Sequence, residues 1–129
     1  WDVGGIFWHA LAPGHQRLIE NAVRWALKSD PSVEVKGDAV LDVAARDGQG
    51  VTTVMLTNLT NPMMMKGPLR RSYPVENQLV RARVPDGKSG ATAHLLVADE
   101  AVQVSVVDGT AQITVPRIDL AEVVRIDWS

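Results

Sequence analysis

The feature that most constrains the fold is a hydrophobic alternation on both sides of the pair Asp108-Gly109. Aliphatic residues occupy every second position, namely Val102, Val104 and Val106 before the pair and Ala111, Ile113 and Val115 after it. A period of two is typical of a strand with one buried face, and glycine accepts the positive φ of a tight two-residue turn. The pattern therefore predicts a β-hairpin.

Similar alternating or apolar runs occupy most of the chain after Pro31, at 33–36, 39–46, 51–59, 79–84, 93–97 and 124–128. We expect Val80, Ala82 and Val84 to point inward, and likewise Val124, Ile126 and Trp128. The run 51–59 is apolar on both faces, which indicates a strand in the middle of a sandwich. Together the runs predict a mainly β fold, a small antiparallel sandwich of about seven or eight strands.

A single amphipathic helix is predicted ahead of these strands, with Pro13 in its first turn. Its apolar positions recur at spacings of three and four: Leu18, Ile19, Ala22, Val23, Trp25 and Ala26. We expect Trp25 to belong to the core, and Glu20 to pair with Arg24 one turn later. Ser29-Asp30-Pro31 ends the helix because proline disfavours helical geometry in the preceding residue. We place a domain boundary here, between 1–30 and 31–129.

Composition excludes several functional classes. Thirteen basic and 15 acidic residues give a formal charge of −2, so no basic excess favours a nucleic-acid partner. The absence of cysteine excludes disulfides and thiolate chemistry and favours a reducing, cytoplasmic location. No apolar run approaches the roughly 20 residues that span a bilayer, and no secretion signal is visible, so no membrane partner is expected. Because the chain begins at Trp1, we expect it to be part of a longer protein.

No catalytic, cofactor-binding or metal-binding residues are predicted. The acidic residues lie mostly beside turns or on outward strand positions, where solvated surface is the expected environment. The three histidines, His9, His15 and His94, lack the spacing of a metal site, and His94 falls on an outward strand position. No serine has the context of an activated nucleophile, and no glycine-rich phosphate loop is present.

The segment 61–75, NPMMMKGPLRRSYPV, is long for a loop inside a compact domain. Its candidate contact residues are Met63, Met64, Met65, Lys66, Arg70, Arg71 and Tyr73. One interpretation is a loop that docks on a neighbouring domain or borders its cleft; the other is a loop that closes the end of the sandwich, with Met side chains filling gaps. Trp8 is a further contact candidate, and the cluster of Trp1, Phe7 and Trp8 predicts self-association into a homo-oligomer.

The segment GIFWHALAPGHQRLIENAVRWAL resembles the closing strand and helix of the trimerisation domain of bacterial β-galactosidases and their uncharacterised glycosyl-hydrolase relatives. The stretches VEVKGDAVLDVAAR and VMLTNLTNPMMMKGP, together with the final EVVRIDW, resemble the small C-terminal β domain that follows it. The resemblance implies a catalytic barrel and an oligomerisation domain upstream. It assigns no catalytic residue to this chain.

The leading hypothesis is a non-catalytic accessory domain of a glycoside hydrolase that packs on the other domains of its parent chain. A carbohydrate-binding module is the second, and it predicts exposed aromatic residues around Tyr73 or Trp8. A stand-alone protein-interaction domain remains open as well. A small independent enzyme would need histidines and carboxylates that converge in a cleft.

Overall fold

The computed structural model describes residue 5 and residues 13–62 and 71–129. The chain divides into two compact units, Trp1–Ser32 and Val33–Ser129. Trp1, Phe7, Trp8 and His9 lie outside the described residues, and so do Met63, Met64, Met65, Lys66 and Arg70.

In the first unit, helix α1 spans Pro13–Leu27. It ends at Lys28, which has a φ of 54° and donates its N–H to the carbonyl of Arg24 at 3.1 Å. A left-handed residue at this position is a common way to end a helix. The predicted pair is confirmed: the Arg24 guanidinium lies 3.0 Å from Glu20 Oε1, and it also contacts Asp30 Oδ1 at 2.7 Å.

The second unit consists of nine described strands: β1 Val33–Lys36, β2 Leu41–Asp47, β3 Val51–Asn58, β4 Val75–Arg83, β5 Ala91–Leu95, β6 Glu100–Val102, β7 Val104–Val107, β8 Thr110–Ile118 and β9 Ala121–Trp128. One sheet has the order β1-β4-β8-β7 and the other has the order β2-β3-β9-β5-β6. Every pairing is antiparallel. The predicted fold class, one helix followed by an antiparallel sandwich, is confirmed.

The core lies between the inward faces of the two sheets. Twelve of its members follow the predicted alternation: Val54, Leu56, Val80, Ala82, Ala93, Leu95, Ala111, Ile113, Val115, Val124, Ile126 and Trp128. Ile118, at the end of β8, is also buried although it is out of phase with that alternation. The indole N–H of Trp128 donates to Thr52 Oγ1 at 2.8 Å. This bond satisfies the polar atom of the largest core side chain, which would otherwise be costly to bury.

The hairpin prediction at Asp108-Gly109 is confirmed. Val107 pairs with Thr110 across the two-residue turn, and both turn residues have positive φ, 49° and 69°. Two positive φ values define the type I′ turn, whose twist matches that of the flanking strands.

The run predicted as one strand before this turn is in fact two. β6 pairs with β5 in one sheet and β7 pairs with β8 in the other, so the chain crosses between sheets at Gln103. Val102 and Val104 both pack against the core, one from each sheet. The alternation therefore continues through the crossover and conceals the break between β6 and β7. Because the run predicted as one strand forms two, the strands number nine among the described residues.

Four apolar residues of the predicted strands are more exposed than their patterns indicate, and one of them, Val106 on the edge strand β7, is 39% exposed. Val43 is 40% exposed because β2 lies at a sheet edge, although its register partner Leu56 is buried. Met55 is 46% exposed on the outward face of β3, where core residues were expected on both sides. Val97 is 65% exposed because β5 ends at Leu95 and a turn follows.

Candidate functional site

Of the predicted contact residues, only Arg71 and Tyr73 lie in the described part of the chain. The guanidinium carbon of Arg71 lies 5.0 Å from the centre of the Tyr73 ring. A cation over a ring face at this distance is a favourable contact. One face of Tyr73 is therefore covered by the protein itself, which reduces its value as a stacking platform for a sugar.

Asn58 holds the two ends of the connection between β3 and β4, residues 59–74, close together. Its Nδ2 donates to the carbonyls of Tyr73 at 2.8 Å and Asp119 at 2.9 Å, and its Oδ1 accepts from the Thr60 N–H at 3.0 Å. The sequence patterns did not identify Asn58 as an anchoring residue. An asparagine at the end of a strand, next to a long connection, was the available signal for this anchoring role.

Among the acidic residues that the structure describes, one departs from the predicted surface pattern. Asp30 and Asp99 are exposed, and Glu34 is half-buried and contacts Arg81 at 3.1 Å. Glu122, however, is only 2% exposed. Its carboxylate accepts the backbone N–H groups of Val97 and Val123 at 2.8 Å and of Ala98 at 3.1 Å.

These three contacts give Glu122 a structural task. Val97 and Ala98 belong to the turn between β5 and β6, whereas Glu122 lies on β9, so the carboxylate ties this turn to the sheet. A carboxylate that accepts three backbone donors is well compensated for its burial. Periodicity could not identify this residue, because two of its three donors come from a turn more than 20 positions away.

On the outer face of the second sheet, Arg125 and Asp127 form a salt bridge at 2.7 Å. The hydrogen bond from Arg125 lowers the pKa of Asp127, and the same contact raises the pKa of Arg125. His94 lies on the same face as predicted, half-exposed, with its Nε2 3.0 Å from Asp99 Oδ1. The side chains of Arg125, Asp127 and His94 lie on the exposed outer face of this sheet and do not line a cleft.

The described residues contain no group of three or more histidine, aspartate or glutamate side chains that could hold a metal ion. No helix within 13–62 or 71–129 is long and apolar enough to cross a membrane.

The apolar face of α1, formed by Leu18, Ile19, Val23 and Trp25, is the clearest contradiction of a sequence-based expectation. Trp25 is 83% exposed and not a core residue, and Leu18 and Val23 are each about half exposed. The helical spacing is as expected, but the side chains of this face are exposed. A continuous apolar surface of this kind is typical of a contact site.

No family model and no curated protein sequence matches the chain. In its described residues the chain is a helix followed in sequence by a two-sheet antiparallel sandwich. The α-L-fucosidase isoenzyme 2 of Paenibacillus thiaminolyticus superposes on 100% of this chain with a TM-score of 0.71 and 13% identity. A cycloisomaltooligosaccharide glucanotransferase of a Paenibacillus species, complexed with cycloisomaltoheptaose, superposes on 74% of the chain with a TM-score of 0.47 and 14% identity.

The chain spans 20% of the fucosidase chain and 18% of the glucanotransferase chain. At 13% identity the likeness to the fucosidase is one of fold.

Proposed function

We propose that this chain is a non-catalytic accessory domain of a glycoside hydrolase, one that packs on the other domains of its parent enzyme. The observation that carries the proposal is the superposition of the whole chain on one fifth of the length of a fucosidase chain. In the finer form of the proposal, the parent enzyme is β-galactosidase-like, as the resemblance of the sequence implies.

The exposed apolar surfaces support a packing role. The apolar face of α1 leaves Trp25 83% exposed, and on the sandwich Val43 and Met55 are exposed at 40% and 46%. Burial of a large apolar side chain contributes about 1.5–3 kcal/mol, so docking of such a helix face on another domain would be strongly favourable.

The internal contacts of the sandwich agree with a structural role. Its most buried carboxylate, Glu122, is occupied by three backbone donors, and Asn58 is occupied by carbonyls of neighbouring segments. Such contacts stabilise turns and connections. They leave these two side chains without a free group for chemistry.

The first test compares the 129-residue chain with the protein isolated from its natural source. We expect the natural protein to be several-fold heavier than 14.0 kDa. We also expect it to hydrolyse p-nitrophenyl β-D-galactopyranoside or p-nitrophenyl α-L-fucopyranoside, whereas the 129-residue chain does not. A natural protein of the same mass as this chain would refute the accessory role and favour a stand-alone interaction domain.

The second test concerns the packing surface. Amide hydrogen exchange in α1 is expected to be slower in the natural protein than in the 129-residue chain, because docking protects the helix from opening. The substitution Trp25→Lys should abolish this protection, whereas Arg17→Gln, on the polar face of the same helix, should preserve it. Equal exchange in both proteins would rule out packing through α1.

A further inference from the structure

A depression of about 550 Å³ lies where the chain crosses from one sheet to the other. β7 begins only at Val104, opposite Ile113, so the part of β8 beyond Ile113 has no β7 partner. The crossover segment from Glu100 to Ser105 forms one wall of the depression, and β8 forms another. The volume lies within the range of about 300–1,000 Å³ that is typical of small-molecule sites.

We call this depression the crossover notch and define it by six lining side chains: Leu79, Glu100, Gln103, Ser105, Gln112 and Thr114. The register places Ser105 opposite Gln112, and Leu79 opposite Thr114. These four residues are therefore neighbours on paired strands, and the regular backbone holds their side chains in fixed relative positions.

The polar side chains of the notch have hydrogen-bonding capacity that the protein does not use. Gln103, Ser105, Gln112 and Thr114 make no side-chain hydrogen bond to any other described residue, in contrast to Asn58 and Glu122. Amides and hydroxyls both donate and accept hydrogen bonds. A ligand that forms hydrogen bonds with these four side chains must itself carry several hydrogen-bond donors and acceptors.

Charge narrows the class of ligand further. The notch contains one carboxylate, Glu100, and no lysine, arginine or histidine among its lining residues. An anion would meet repulsion from Glu100, and Arg81, the register partner of Gln112, is already paired with Glu34 at 3.1 Å. A metal ion would find a single carboxylate, and a purely apolar ligand would leave the amides and hydroxyls without partners. A neutral polyhydroxylated molecule satisfies these conditions, and Leu79 offers it an apolar contact.

We propose that the crossover notch binds a neutral saccharide. The site is distinct from the aromatic residues around Tyr73, and it does not depend on the accessory-domain proposal, since a saccharide site can exist on either kind of protein. Because the polar lining is largely exposed, the affinity for a monosaccharide is expected to be weak, in the millimolar range.

The experiment is a titration of the isotopically labelled 129-residue chain, followed by amide chemical shifts in nuclear magnetic resonance spectra. The probes are methyl β-D-glucopyranoside, which is neutral, and methyl β-D-glucuronide, which carries a carboxylate. We expect saturable shifts at residues 100–105 and 112–114 with the neutral probe, and much smaller shifts with the glucuronide. Glu100→Gln should reduce this difference, because it removes the repelling charge.

Two variants and one control test the contacts. Gln112→Ala and Thr114→Ala should each weaken binding about fivefold, the effect of losing roughly one hydrogen bond of about 1 kcal/mol. Thr92→Ala, an exposed position on the other sheet, should leave binding unchanged. The spectra themselves report whether each variant is folded.

The proposal is overturned if the neutral probe produces no saturable shifts, if the shifts fall elsewhere, or if Gln112→Ala and Thr114→Ala bind as well as the unsubstituted chain. It is also overturned if the glucuronide binds as well as the neutral probe. None of these outcomes changes the mass or the activity of the natural protein, so failure of the saccharide site is distinguishable from failure of the accessory role.

Discussion

Replacement of Glu122 is the perturbation whose consequence the structure defines best. The carboxylate is 2% exposed and accepts three backbone N–H groups, two of which belong to the turn between β5 and β6. Glu122→Ala removes all three acceptor contacts at once. A hydrogen bond to a charged group contributes about 1.5–3 kcal/mol, but Val97 and Ala98 lie in an exposed turn where water can replace part of the loss.

We therefore expect Glu122→Ala to lower the free energy of unfolding by about 2–3 kcal/mol. Glu122→Gln preserves one acceptor oxygen but turns an N–H₂ group toward a backbone donor, so it should cost about 1 kcal/mol. The matched control is Glu100→Ala, an exposed glutamate on the neighbouring β6, which should change stability by no more than about 0.5 kcal/mol.

The measurement is chemical unfolding in urea, followed by far-ultraviolet circular dichroism, with all variants at one pH and protein concentration. The reasoning about Glu122 is refuted if Glu122→Ala and Glu100→Ala unfold at the same midpoint with the same slope. Amide exchange adds a local test, because loss of the carboxylate should speed exchange at Val97 and Ala98 before it affects the core strands.

Three smaller predictions concern other contacts. Thr52→Val preserves the side-chain shape but removes the acceptor for the indole N–H of Trp128. It should lower the free energy of unfolding in urea by about 1–2 kcal/mol. The nuclear magnetic resonance signal of the Trp128 indole N–H should also shift. Gly109→Ala should cost about 1–2 kcal/mol, because φ at this position is 69°; unchanged thermal stability would contradict the type I′ assignment. Arg125 lowers the pKa of Asp127, so the pair stabilises the fold above the ordinary pKa of aspartate, and this contribution is lost as pH falls through the lowered value. Arg125→Gln should raise the pKa of Asp127 toward 3.8 in a nuclear magnetic resonance titration, and an unchanged value would show that the salt bridge is not formed in solution.

The sequence by itself determined the features that depend on neighbouring residues. The hairpin at Asp108-Gly109 follows from the backbone freedom of glycine at a tight turn, and the inward positions Val80 and Ile126 follow from the period of two. The pair Glu20–Arg24 follows from helical spacing. Each of these is a property of a few consecutive residues, so no knowledge of distant contacts was needed.

Which apolar faces are covered was decided only by the tertiary structure. Trp25 and Val43 fit amphipathic patterns as well as any core residue, yet they are 83% and 40% exposed. A hydrophobic pattern indicates that one face of a helix or strand can pack against an apolar partner. It does not indicate which segment, or which other domain, supplies that partner.

The polar contacts that shape the site regions also depended on the tertiary structure. Glu122 meets the β5–β6 turn, and Asn58 meets the residues before β4 and after β8, only because strands distant in sequence are adjacent in the sheets. The crossover at Gln103 was hidden for a related reason: Val102 and Val104 face the same core from different sheets, so the alternation continues across the break. Period and spacing are local quantities, whereas strand order and the choice of sheet follow from how the whole domain buries its apolar surface.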